Sequence, residues 1–325
     1  MNPEMHPTMK HVLNTLLPAL LILASGCNPV ESCLACREEP RLRRLELTLS
    51  AATKGSAEPL ISDIQVTRCQ LYVFSRNGNL VNCYQSSDGR FDFYLTDETY
   101  DFVAVANKED LPVAGITRQE LGRTETTLAE NAEGGLVMVG CLDSHIIESD
   151  EKITVEMKRL VAKVSYVLHT DFTGPLAADP FQVEDVYLTN VVGSSPLALT
   201  DSLPASDALW YNRMNWEDRG DEPAALLRGG PSFYALPNAS PDNHDKEKWG
   251  SRCTRFVVKA TLAGRTTYYP VTLEKVQANH HYHIDLTIAG FGVDHPEDRP
   301  DDYKDFQAQV SVAPWKAGGD FRGNF

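Results

Sequence analysis

Hydrophobic positions follow two rhythms along the chain. Residues 12–26 (VLNTLLPALLILASG) are almost continuously apolar, yet they fall short of the roughly 20 residues a membrane-spanning helix needs. Beyond them the rhythm is alternation with period two, the pattern of a half-buried strand. Residues 45–51 put Leu45, Leu47, Leu49 and Ala51 on one face, with Arg44, Glu46, Thr48 and Ser50 on the other. Near the opposite end, residues 306–312 place Phe306, Ala308, Val310 and Val312 on one face and Gln307, Gln309 and Ser311 on the other. Pro314 is expected to stop that strand. Further strand-like runs cover residues 64–85, 90–95, 100–107, 135–140, 152–168, 181–192, 232–236, 254–262, 267–273 and 281–288. The spacing predicts a single helical stretch, over residues 117–128.

Turn chemistry organises these runs. Asn77-Gly78 splits the 64–85 run into a hairpin with a two-residue turn, which sets Cys83 opposite Tyr72 and Cys69 opposite Ser86. Cys69 and Cys83 then point to opposite faces and do not bond. Many short strands separated by Gly, Pro and Asn predict an all-β chain of antiparallel β-sandwiches. The chain is cut near Leu160, into an N-terminal sandwich over residues 45–160 and a C-terminal one over residues 161–325.

The apolar segment at the start has the character of an export signal, residues 1–26. Ala24-Ser25-Gly26-Cys27 resembles a bacterial lipobox, in which Cys27 would receive a diacylglyceryl group and become the first residue of the mature chain. Residues 27–44 are polar and lack periodicity, so they read as a tether between lipid and fold. Cys33 and Cys36 form a C-x-x-C without the second pair or histidine that a zinc site requires.

Composition and charge narrow the function. The 325 residues carry 45 Asp and Glu against 30 Lys and Arg, a formal charge of −15, which repels phosphate backbones and argues against a nucleic-acid partner. No G-x-S-x-G, P-loop or H-E-x-x-H occurs, so no catalytic residue, metal or cofactor is implied. His281, His283 and Asp285 share a strand face and read as a solvated surface, as do the acidic residues between Asp294 and Asp305. The matched strands near the two ends carry more content. Either could fill one apolar groove between sheet edges, which is what intermolecular strand addition needs; alternatively, each is an ordinary edge strand of its own domain. A reading of another class is a glycan-binding surface lipoprotein, with Trp210, Tyr211, Trp216 and Trp249 as stacking residues.

Several segments together resemble the fimbrillins, the subunits of type V pili of Gram-negative anaerobes. Leu71-Tyr72-Val73-Phe74 and Asn77 through Val81 are similar to their early hairpin, and Ala104 through Asn107 and Met138-Val139-Gly140 to their middle strands. Arg159 through Val164 resembles the domain junction, Phe233 through Asn238 a strand of the second domain, and Ala278-Asn279, Tyr282 and Gly290 through Trp315 the C-terminal region. The resemblance implies two transthyretin-like β-sandwich domains, export as a lipoprotein through Cys27 to the outer membrane, and a place in surface fimbriae among other fimbrial subunits. It also implies that a trypsin-like surface protease cuts after a basic residue, Lys54 or alternatively Arg44. The first strand, with Leu45, Leu47, Leu49 and Ala51, would then leave. Its groove would accept the donor strand of another subunit, the counterpart of Phe306, Ala308, Val310 and Val312. The resemblance leaves the subunit as a stalk or accessory component, or as a lipid-retaining anchor.

Overall fold

A computed structural model describes residues 41–51, 66–133, 135–198, 210–211, 232–239, 253–296, 298 and 305–315. In the first half these residues form β1 (Leu42–Ala51), β2 (Cys69–Ser75), β3 (Leu80–Ser86), β4 (Arg90–Thr96), β5 (Thr99–Ala106), β6 (Glu125–Thr127), β7 (Met138–Ile146) and β8 (Glu151–Arg159). Seven of them make one sheet in the order β3-β2-β5-β7-β8-β1-β4. β7 and β8 pair only through Met138 with Arg159 and Val139 with Lys158. On either side of that narrow join the two wings bury one shared core. Leu45, Leu47, Phe91, Phe93 and Val155 come from one wing, Leu71, Val73, Phe102 and Ala104 from the other. The crossing is tight: a Cβ on Gly140 would lie 2.7 Å from the Glu156 carbonyl oxygen. The opposite face of the β2-β5-β7 wing is also covered, with Tyr72, Phe74, Val103 and Val139 packed under Ile116, Leu121, Leu160 and Leu197. That double burial explains why β2 is buried continuously from Cys69 to Phe74, Gln70 included, rather than on alternate residues.

The second half contains β9 (Ala162–Thr170), β10 (Phe181–Thr189), β11 (Val191–Val192), β12 (Ser194–Pro196), β13 (Trp210–Tyr211), β14 (Ser232–Ala235), β15 (Arg255–Leu262), β16 (Arg265–Thr272), β17 (His280–Ile288) and β18 (Phe306–Pro314). A three-stranded sheet, β10-β15-β16, and a four-stranded sheet, β14-β9-β17-β18, enclose a second core. Val186, Leu188, Phe256, Val258 and Tyr269 meet Val164, Phe233, Ile284, Leu286 and Phe306 there. β12 reaches back to pair with β6, and Leu128 and Leu136 join this second core, so the two halves interlock.

The chain is all-β and built of sandwiches, with instructive departures from the sequence reading. β1 runs parallel to β8, and β9 parallel to β17. A short hairpin turn forces antiparallel neighbours, whereas these two pairs join segments far apart in the chain that no short turn constrains. The predicted helix is only Arg118–Arg123, capped by Thr117 in a capping box with Glu120. The threonines that follow leave the helix and form β6 instead. The run over 152–168 breaks at Leu160 and Val161 into β8 and β9, where the chain passes from one sheet to another. Pro314 does not stop β18. It pairs opposite His280, because at a sheet edge the missing N–H faces outward.

The hairpin forms with one compensation. Its loop has three residues, Arg76-Asn77-Gly78, closed by the Ser75 N–H on the Asn79 carbonyl at 2.9 Å, with Gly78 at φ 76°. A register shift next to Val73 then restores one residue, so Tyr72 still faces Cys83 and Cys69 faces Ser86. Cys69, Cys83 and Cys141 are free thiols.

Candidate functional site

β1 lies inside its sheet, antiparallel to β4 on one side and parallel to β8 on the other. It is therefore not an edge strand, and its backbone groups have neighbours on both flanks. Leu45 sits directly opposite Phe93 and Leu47 opposite Phe91. Both leucines are buried, at 0% and 1% exposure, and each contributes roughly 1.5–3 kcal/mol in that state. Leu49 is half-buried, and Ala51 ends the strand in register with Met157.

Charges on the solvent side fix the same register. The Arg44 guanidinium donates Nη2 to Asp92 Oδ2 at 2.6 Å and Nε to Asp92 Oδ1 at 3.1 Å. These hydrogen bonds hold the Asp92 carboxyl below its ordinary range against the opposing desolvation. Lys152 Nζ meets Glu46 at 2.7 Å from the β8 side. The Arg44 N–H donates to Asp150 Oδ1 at 2.9 Å, and the Arg41 N–H to Asp97 Oδ1 at 3.0 Å. β1 thus occupies a slot with an apolar floor and charge-ordered walls.

The C-terminal strand is held far less completely. Among the described residues β18 pairs only with β17, at the edge of its sheet. Of its apolar face, Phe306 is buried against Tyr269, Val310 is half-buried, Ala308 is exposed, and Val312 is 49% exposed. Trp315 anchors the strand's end. Its N–H donates to the Asn279 carbonyl at 2.7 Å, and its ring stacks on Tyr234 with the Arg159 guanidinium 4.4 Å from the centroid.

The other predicted residues divide. Cys27 and Lys54 lie outside the described residues, as do Cys33, Cys36, Trp216 and Trp249. Arg44 is within paired strand, so a protease could reach its peptide bond only after β1 had left its neighbours. Trp210 and Tyr211 form β13 against Val192 and Val191. His281 Nε2 and His283 Nδ1 converge on the Ser165 hydroxyl at 2.7 and 2.9 Å, while Asp285 turns to His169 at 3.5 Å. Among the described residues no group of three His, Cys, Asp or Glu is placed to hold a metal ion. The residues that sequence reasoning missed are the slot's walls: Asp92, Asp150 and Lys152. Asp92 and Lys152 stand at outward positions of alternating strands, a visible signal, but only the pairing brings them to β1.

A family model described as fimbrillin-A associated anchor proteins Mfa1 and Mfa2 matches residues 32–317. The chain belongs to the fimbrillin family of type V pili. No curated protein matches it by sequence. Among solved structures, this fimbrillin is similar to the fimbrilin FimA of Porphyromonas gingivalis W83, at 16% identity and a TM-score of 0.65, over 86% of this chain and 99% of that one. It is also similar to the C-terminally truncated tip fimbrial protein Mfa3 of P. gingivalis, at 14% identity and a TM-score of 0.57, over 85% and 100% of the two chains. At these identities the likeness is one of fold. Family membership makes the chain a fimbrial structural protein that associates with other fimbrial subunits.

Proposed function

We propose that this fimbrillin is a stalk or accessory subunit, exported as a lipoprotein on Cys27 to the outer membrane and joined to its neighbours in surface fimbriae by strand exchange. A trypsin-like protease cuts after Lys54, β1 leaves, and the donor strand of another subunit takes its place, while β18 serves as donor in turn. The observation that carries this reading is the contrast between the two strands. β1 is paired on both sides with its leucines buried, so its departure opens a whole slot. β18 is an edge strand with an apolar side chain half exposed, so it has a face to give elsewhere. Proteolysis makes the exchange one-way, because a severed strand dilutes away while a donor arrives tethered to a whole subunit. The proposed domains are 45–160 and 161–325, after a signal over 1–26 and a tether over 27–44, of which residues 42–44 already pair with β4 as the start of β1.

A second reading is an anchor that keeps its lipid and its first strand, favoured by the anchor proteins named in the matching family description. The N-terminal residue of the protein recovered from fimbriae decides between them. Gly55 is expected for the strand-exchanging subunit and lipidated Cys27 for the anchor. Deleting residues 305–325 is expected to abolish incorporation into fimbriae; normal incorporation of that variant would refute a donor role for β18.

A further inference from the structure

The slot and the chain's own donor strand do not match. The slot's two deepest positions hold long aliphatic side chains, Leu45 and Leu47, at 0% and 1% exposure against Phe93 and Phe91. The apolar-patterned face of β18 reads Phe306, Ala308, Val310, Val312 and then Pro314. Laid along β1, Phe306 and Ala308 would put a ring where Leu45 sits and leave a void where Leu47 sits. One step along, Ala308 and Val310 move the void to Leu45. Another step places two valines in the floor but brings Pro314 to position 49, where the slot uses an N–H: that of Leu49 donates to the Gly89 carbonyl at 2.9 Å. Run in the opposite direction, Val312 and Val310 still underfill both positions, and Ala308 follows where Leu49 packs. A fully buried site penalises both missing and surplus volume.

The walls add an independent criterion. Asp92 pairs with the Arg44 guanidinium, and Lys152 with Glu46, whereas Asp150 takes only the Arg44 backbone N–H. β18 offers Gln307, Gln309, Ser311 and Ala313 on that side and so answers neither charge. Such exposed pairs add little affinity, but they set register and reject strands of the wrong pattern.

We propose that the β1 slot selects the donor strand of an unlike subunit, one with a basic residue, a long aliphatic, an acidic residue and a second long aliphatic in succession, and that it rejects β18 of a second copy. This rests on the strand-exchange reading above. It makes the chain a junction between different subunits, present where two kinds meet rather than as a self-repeating stalk.

The test uses the full chain with a site-specific protease sequence inserted between Ala51 and Val66, cleaved in the folded state. Fluorescent peptides of residues 42–51 and 305–315, and the latter with Phe306→Leu and Ala308→Leu, are then added, and label retained after gel filtration is measured. The 42–51 peptide is expected to be retained, the 305–315 peptide to bind at least about tenfold more weakly, and the doubly substituted peptide to recover most of the difference. The nicked protein alone is expected to stay monomeric. Equal retention of the 305–315 peptide, or multimers of the nicked protein alone, would overturn the selectivity and leave strand exchange standing. If no peptide is retained, not even 42–51, strand exchange itself falls and the selectivity with it.

Discussion

Leu47 and Val312 occupy equivalent places in two alternating patterns, yet one is buried at 1% exposure and the other is 49% exposed. Their substitutions should separate accordingly. Leu47→Ala empties a site walled by Phe91 and is expected to lower stability by about 2–5 kcal/mol. Val312→Ala is expected to stay within about 0.5 kcal/mol of the wild type. Urea unfolding of both variants checks the pair. Cys69 offers a second contrast: burial pushes its thiol up to about 11, so little thiolate forms and iodoacetamide should modify it only on unfolding. Modification of Cys69 at native rates equal to those of the exposed Cys141 would contradict its place in the core. Alternation told which side chains share a face; it could not tell how much protein covers that face.

Among the elements, the join of β7 to β8 is the most exacting. Gly140→Val would drive side-chain atoms into Val155, Met157 and the Glu156 carbonyl; the Met157 side chain can yield but the backbone carbonyl cannot, and a loss of about 1–3 kcal/mol is expected from overpacking. The helix Glu130–Glu133 is held by another device. Lys108 Nζ donates to both Glu130 oxygens at 2.9 and 3.0 Å, and the Thr126 hydroxyl adds a third bond at 2.6 Å. Burial pushes the Glu130 carboxyl upward, but these bonds outweigh it and hold it below the ordinary range. A depressed folded pKa stabilises above the unfolded value of about 4.3 and loses that contribution as pH falls through the folded one. Glu130→Gln is therefore expected to cost most at pH 7 and progressively less below pH 4, measured as the gap between denaturation midpoints. The hairpin shows how far local chemistry reaches. Asn77-Gly78 correctly marked the turn and the Tyr72–Cys83 register, while the three-residue loop and its compensating shift depend on β2 being held against β5 as well.

For the molecule as a whole, the coupling between halves governs behaviour. β12 pairs with β6, Leu197 packs in the first half, and Leu128 and Leu136 pack in the second. A single cooperative calorimetric transition is expected for the full chain, and two separable transitions would show that the halves are independent. Removing β1 has consequences beyond its own contacts. β4 and β8 would each expose an unpaired edge around an apolar floor, a state prone to pairing with any available strand. Under the strand exchange proposed above, the subunit would use that hazard productively, with β1 staying in place until a partner is at hand.

Alternation, turn residues and composition were enough to read an all-β fold, the inward face of β1, the hairpin, and an acidic composition, because each of these is legible in the chain without its contacts. The interior position of β1, the edge position of β18, the two parallel pairings and the charged walls of the slot came from tertiary contacts alone. In the paired segments Leu45 meets Glu151 and His281 meets Lys163. Each such pairing joins residues more than a hundred positions apart, where competing partners share the same period. Global packing chooses among them by burying the faces that match, and that choice set one strand inside its sheet and the other at a loosely held edge.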